Sequence, residues 1–207
     1  MTYQAIMFDI DGTLTNSQPA YAKVMGQVLS EYGKPFTVTD AQATFPMAAE
    51  QAMAHLGIAA DDFDHFQARY EAVMADHYQD ITLYPGIAAL LQQLPTDVKL
   101  GIVTSQRRNE MESGMAQYDF MDQLAVTISA DDTPKRKPDP LPLLTALARI
   151  GVQPSDALFV GDSLSDEQTA AAAKVAFGLA VWGMDPNADH QQTAYRFKQP
   201  LDILTLF

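Results

Sequence analysis

The 207 residues carry 26 acidic against 13 basic side chains, a formal net charge of −13, with 47% hydrophobic and 19% charged residues and no cysteine. Such a composition is globular, and the length suits one generous domain or a core domain with a modest insertion. It excludes disulfides and thiolate metal sites, and it argues against nucleic acid or an anionic membrane surface as partner.

Any phosphate ligand would then need a local positive site from a metal, a lysine or a helix N-terminus. No apolar run approaches the length of a membrane span, and no charged-then-apolar leader precedes the first strand. The expectation is a cytoplasmic protein.

The first predicted element is a buried strand over 6–10, IMFDI, which runs into Asp9, Asp11 and the turn at Gly12. Two like charges aimed from the end of a buried strand need a compensating partner. From 18 to 79 no strand pattern appears, only helical segments at 19–32, 39–44, 47–56 and 61–78, punctuated by Gly33, Pro35 and Gly57.

Tyr84-Pro85-Gly86 then resumes an alternation of strands at 100–105, 124–129, 157–162 and 178–182 with helices at 86–94, 106–117, 140–150 and 164–176. Continuously apolar strands alternating with helices predict an α/β fold, a doubly wound, Rossmann-like parallel sheet covered on both faces. The helical stretch reads as an all-helical cap inserted after the first strand, giving a core of 1–16 and 82–207 and a cap of 17–81.

In such a sheet, ligands bind outside the carboxyl ends of the strands. Those ends carry Asp9 and Asp11, Thr104 and Ser105, the loop leading to Lys137-Pro138, and Asp162 with Asp166 four residues on. Asp9, Asp162 and Asp166 offer hard oxygen ligands of the kind Mg²⁺ takes. Thr104 and Ser105, read as opening a helix, would hold phosphate oxygens, and Lys137, read as preceding a helix-starting Pro138, would neutralise phosphate and carboxylate. Asp9 is then a candidate nucleophile toward phosphorus, and Asp11 a candidate for moving the proton of the leaving group and of the attacking water.

Other residues take plainer readings. Asp131 and Asp132 read as turn formers. Met47, Met53, Met74, Met111 and Met115 read as helix-face packing. His55, His65, His77 and His190 show no metal-ligand spacing and read as solvated or capping residues.

DIDGT, the strand ending in Thr104, Lys137 in KPDP, and GDSLSD resemble, in this order, the four motifs of the haloacid dehalogenase-like (HAD) superfamily. The likeness extends over nearly the whole chain. The insert resembles the small cap of the subfamily that holds phosphoglycolate phosphatases, pyrophosphatases and β-phosphoglucomutase.

This resemblance implies a Mg²⁺-dependent phosphatase of small phosphorylated metabolites. Its implied nucleophile is Asp9 and its acid/base Asp11, with phosphate held by Thr104 and Lys137. Metal ligation would come from Asp9, Asp162 and the backbone carbonyl of Asp11, with Asp166 in the metal shell or orienting the lysine.

Three positions depart from the resembled pattern: Asn16 where an Asp is frequent, Ser105-Gln106 where Asn-Lys is frequent, and Lys174 where a helix-ending Gly is frequent. They bear on substrate rather than chemistry. A sugar phosphomutase is the alternative, disfavoured by Tyr21 where a cap-hinge His is expected, and a phosphonate hydrolase would need an imine-forming Lys23 or Lys34. A phosphometabolite-binding protein without turnover is a further alternative. Tyr21, Phe45, Met47 and Gln51 are candidates for lining the substrate pocket. Monomer and dimer remain open.

Overall fold

The computed structural model describes residues 3–47 and 49–207. The chain divides into two compact units, one formed by Met1–Asn16 with Leu83–Phe207 and the other by Ser17–Thr82. In the first, six strands form one sheet: β1 (Ala5–Phe8), β4 (Lys99–Val103), β5 (Val126–Ile128), β6 (Ala157–Gly161), β7 (Ala176–Ala180) and β8 (Tyr195–Phe197). Their order is β5-β4-β1-β6-β7-β8, and every neighbouring pair is parallel. Two further short strands, β2 (Thr15–Asn16) and β3 (Thr82–Leu83), form a separate two-stranded sheet.

Because side chains alternate across a strand, β1 sends Ile6 and Phe8 to one face and Ala5 and Met7 to the other. On the first face they join Leu100, Ile102, Leu158 and Val160 against Leu90 and Leu91 of α5 (Ile87–Gln93) and Met111 and Met115 of α6 (Arg108–Met115). On the second face they join Ile128, Phe159 and Leu179 against Leu143 and Leu147 of α7 (Leu141–Ile150) and Ala170 of α8 (Leu164–Ala173). Burial on both faces explains why these strands read as unbroken apolar runs. The α/β, doubly wound, Rossmann-like architecture expected from the sequence is present.

The second unit is helical: α1 (Gln18–Glu31), α2 (Val38–Thr44), α3 (Ala49–His55) and α4 (Phe63–Met74). Val24, Val28 and Leu29 of α1 share a core with Met53, Phe66 and Val73. Thr37 caps α2 in a reciprocal box with Asp40, the arrangement that satisfies two otherwise orphaned N–H groups. Of the residues expected to line a pocket, Tyr21 donates a hydrogen bond from Oη to Thr44 Oγ1 at 2.8 Å and meets Phe45 edge-on.

Several boundaries and environments differ from expectation. The strand β8 was not anticipated, because Tyr195-Arg196-Phe197 is three residues long and lies at the sheet edge. Pro138 does not start a helix: it follows a cis Lys137-Pro138 bond in a turn, and α7 begins at Leu141. Likewise α6 begins at Arg108, so Thr104 and Ser105 lie in the preceding loop.

His190, expected to be solvated or capping, is 9% exposed, and its Nδ1 lies 2.7 Å from Glu167 Oε2. Its polar sequence neighbours gave no hint of that remote partner. Among the described residues, no helix is long and apolar enough to cross a membrane.

Lys174 ends α8 in the left-handed conformation, at φ 58°, with its side chain exposed. A Cβ in that region is opposed by the neighbouring carbonyl, and glycine is not. Lys174→Gly is therefore expected to stabilise the protein by about 1 kcal/mol, the cost of holding an L-residue there. A urea titration of both proteins checks the direction.

Candidate active site

The chain leaves β1 with Asp9 N–H donating to Val160 O at 2.9 Å and then wraps tightly. The carbonyl of Ile10 accepts from the N–H groups of Thr13, Leu14 and Thr15, closing a compact loop that carries Asp11 and Gly12. Gly12 has φ +79°, and a Cβ there would stand 2.1 Å from Asp162 Oδ2. Backbone conformation and close approach each demand glycine at this turn.

The carbonyl of this loop's Thr13 accepts from Trp182 Nε1 at 2.9 Å, and the Thr13 hydroxyl donates to Asp162 Oδ1 at 3.0 Å. Thr13 stands inside DIDGT with no local pattern that marks either contact, and Trp182 ends a predicted strand with nothing in its sequence to mark its partner.

The carboxyl ends of β1 and β6 bring Asp9, Asp162 and Asp166 together, with one oxygen of each within 4.8 Å of the others. All three are buried. Lys137 extends into the cluster with its side chain only 4% exposed, and its Nζ is 2.7 Å from Asp9 Oδ1 and 2.6 Å from Asp166 Oδ1. It also lies 5.8 Å from the centre of the Phe159 ring.

Asp166 has a double duty. Its Oδ2 accepts from Ser163 N–H at 3.1 Å and Ser163 Oγ at 2.6 Å, while Ser163 Oγ in turn accepts from Asp166 N–H at 3.2 Å. This is the capping box that opens α8, so Asp166 holds both a helix end and the lysine. Asp162, by contrast, keeps Oδ2 directed at the Gly12 turn.

Fully ionised, three carboxylates against one ammonium would leave two negative charges in a buried place. The electrostatics record this excess. Burial pushes the Asp9 carboxyl up to about 7, against the pull of Lys137, with the charges of Asp166 and Asp11 adding to the rise. Burial also raises Asp162 well above the usual carboxylate range, followed by the charges of Asp166 and Asp9.

Lys137 is raised, because the two carboxylates outweigh its own desolvation. Tyr84, of the Tyr-Pro-Gly expected to resume the core, is raised by burial and then by Asp162 and Asp11. Hard oxygen donors that are costly to ionise without further positive charge fit a small divalent cation.

The pH dependence follows in sign. The Asp9 carboxyl has an ordinary value of 3.8 and a native value of about 7, so between these the native state binds more protons than the unfolded one. The Asp9 contribution to the stability of the metal-free protein is expected to be fully present below the lower value and to be lost as pH rises through the upper one. Asp162 acts in the same direction, and lowered carboxyls such as Asp40 and Asp80 act oppositely at acid pH. Urea midpoints in chelator across that range check it, and added Mg²⁺ is expected to restore most stability at the alkaline end.

Elsewhere in the site, Thr104 is buried, its N–H donates to Ile128 O at 2.9 Å, and its Oγ1 accepts from Gln106 N–H at 3.1 Å. Ser105 is exposed. Asp11 accepts at Oδ2 from Gln106 Nε2 at 2.7 Å, a partner the sequence did not reveal. Asp132 accepts from Ser129 N–H and Oγ and pairs with Arg108, in keeping with its reading as a turn residue.

The family described as haloacid dehalogenase-like hydrolase matches residues 6–180, a span that includes every residue of this cluster. The chain belongs to that family. A phosphoglycolate phosphatase of Xanthomonas campestris is 34% identical over 190 residues, 87% of this chain and 84% of its own length. One of Xylella fastidiosa is 31% identical over 201 residues, 92% and 85% of the two chains.

A crystal structure from Lactobacillus plantarum, bearing a provisional label of phosphoglycolate phosphatase, superposes with a TM-score of 0.96 at 73% identity over 100% of both chains. The enzyme class expected from the sequence stands: this haloacid dehalogenase-like hydrolase is a phosphatase.

Proposed function

We propose that this phosphatase hydrolyses small phosphate monoesters through an aspartyl-phosphate on Asp9, with phosphoglycolate the first substrate to test. The observation that carries the reading is the buried Asp9–Lys137–Asp166 chain beside Asp162. The relatives' substrate, named above, supports the choice of ester.

In the proposed reaction, Asp9 attacks phosphorus, a P–O bond to Asp9 forms, and the bond to the leaving oxygen breaks. Asp11 gives its proton to that oxygen. Asp11 then takes a proton from water, whose oxygen attacks phosphorus, breaks the P–O bond to Asp9 and frees inorganic phosphate.

Lys137 has three N–H donors, two of them directed at Asp9 and Asp166. Its proposed part is to hold Asp9 in line and to meet a phosphoryl oxygen with the third. Thr104 and Ser105 are the proposed phosphate-binding partners from the loop after β4, and Gly12 supplies the tight turn. Asp166 supports the lysine.

Mg²⁺ would be held by Asp9 and Asp162, with the Asp11 carbonyl as the further ligand the family resemblance implies, and would supply charge neutralisation at the transferring phosphoryl group. The helical unit Ser17–Thr82 is the proposed cap and source of substrate selection, and the cytoplasm the proposed compartment. Of the two lysines on which a phosphonate hydrolase could draw, Lys23 and Lys34, the first is exposed and paired with Asp80 at 3.2 Å, which favours the phosphatase.

The test is phosphate release from phosphoglycolate, pyrophosphate, sugar phosphates and nucleoside monophosphates, with and without Mg²⁺. Mg²⁺-dependent turnover led by phosphoglycolate is expected. Preference for another ester would replace the substrate, and silence across the panel would remove the activity.

A further inference from the structure

The side chain of Gln106 ties Asp11 to the loop after β4, and four observations bear on its role. Its Nε2 donates to Asp11 Oδ2 at 2.7 Å, across 95 residues of sequence. Its backbone is fixed on both sides, the N–H donating to Thr104 Oγ1 at 3.1 Å and the carbonyl accepting from Ala130 N–H at 2.8 Å. The amide is thus presented from an anchored stem. Finally, its Oε1 is buried with no hydrogen-bond partner among the described residues.

A buried acceptor without a partner is a cost that fold stability alone does not explain. An amide differs from a lysine or arginine in one useful way: it can donate or accept. Against ionised Asp11 the NH₂ end is the right partner. Against Asp11 carrying its proton the carbonyl end is right, and a half-turn about the Cγ–Cδ bond exchanges them. Lysine or arginine could only donate, and would hold Asp11 as a carboxylate.

We infer that Gln106 is a positioning residue for Asp11, holding its carboxyl group at one place through both halves of the proton transfer. The inference rests on the proposed role of Asp11 as acid and base. It assigns a task to a residue at which the chain departs from the family pattern.

The experiment compares wild type, Asp11→Asn and Gln106→Met, a near-isostere lacking both donor and acceptor, on an alkyl phosphate and on para-nitrophenyl phosphate. The aryl leaving group departs without needing a proton, so loss of proton donation should show mainly on the alkyl ester. In a single turnover, Gln106→Met is expected to slow release of the alcohol from the alkyl ester by about tenfold or more, part of the range that general acid catalysis commands. Phenolate release from the aryl ester should show a much smaller loss, while the later hydrolysis of the aspartyl-phosphate slows equally for both. KM should change little.

Gln106→Asn, whose amide is withdrawn by one methylene, carries the same expectation should the Met variant fail to fold. Equal losses in leaving-group release from both esters, or none, while Asp11→Asn keeps the asymmetry in that step, would overturn the inference alone. A wild type inactive on both esters, or an Asp11→Asn without asymmetry in leaving-group release, would overturn the proposed mechanism and this inference with it.

Discussion

Asp9→Asn is expected to abolish phosphate release, with a loss of about 10⁴-fold or more, because removal of the proposed nucleophile would remove a whole reaction path rather than one contact. Folding should survive. The native carboxyl of Asp9 is costly to ionise, with burial pushing it up to about 7, and a neutral amide of the same shape avoids that cost. Thermal unfolding of the metal-free variant should therefore occur at the wild-type temperature or above it. Activity lost with stability kept would separate chemistry from scaffold, and a variant that merely unfolds would place Asp9 in the scaffold.

Lys137→Met is expected to damage both. Its ammonium lies between Asp9 and Asp166 at 2.7 and 2.6 Å, with the side chain almost wholly buried. Removing one partner of a buried ion pair leaves an uncompensated charge, a loss of about 3–5 kcal/mol. For a protein of ordinary marginal stability that is a large share of the total.

The loss has a definite pH dependence. Lys137 pulls Asp9 down, so without it the carboxyls hold protons to higher pH, and the destabilisation should shrink as pH falls. Urea midpoints in mildly acidic and mildly alkaline buffer test that slope. Phosphate release should fall by about 10³-fold, the scale on which preorganised charge acts on a transferring group.

The contrast between these variants shows which features the sequence made legible. The strands 6–10, 157–162 and 178–182 were readable because helices cover both faces of the sheet, so Ile6, Met7, Leu158 and Phe159 all had to be apolar. The site was readable because parallel strands place their carboxyl ends together, which turned scattered Asp9, Lys137, Asp162 and Asp166 into one cluster.

What stayed hidden depends on contacts between remote residues with no local pattern. Gln106 on Asp11, Thr13 on Asp162, Trp182 on Thr13 and Glu167 on His190 are of this kind. The loop from Thr104 to Arg107 was missed for another reason. Its polar residues suit a helix start, yet Gln106 N–H turns back to Thr104 Oγ1 and delays α6 to Arg108.

The dual use of Asp166 carries a similar lesson. A Ser-x-x-Asp pattern at a helix start is an ordinary cap, and here it is one. It is also the anchor of Lys137, because Oδ2 serves the cap and Oδ1 serves the lysine. Capping and site support are not competing readings where a carboxylate has two oxygens to give.

The central claim is that Asp9 carries the phosphoryl group during turnover, and acid quenching tests it most directly. Wild-type protein mixed with Mg²⁺ and phosphorus-labelled substrate would be stopped on the millisecond scale, treated with hydroxylamine and digested. The account predicts label on the protein that hydroxylamine releases, and a hydroxamate at Asp9. Steady phosphate release with no label on the protein, or with label on any residue other than Asp9, would contradict it.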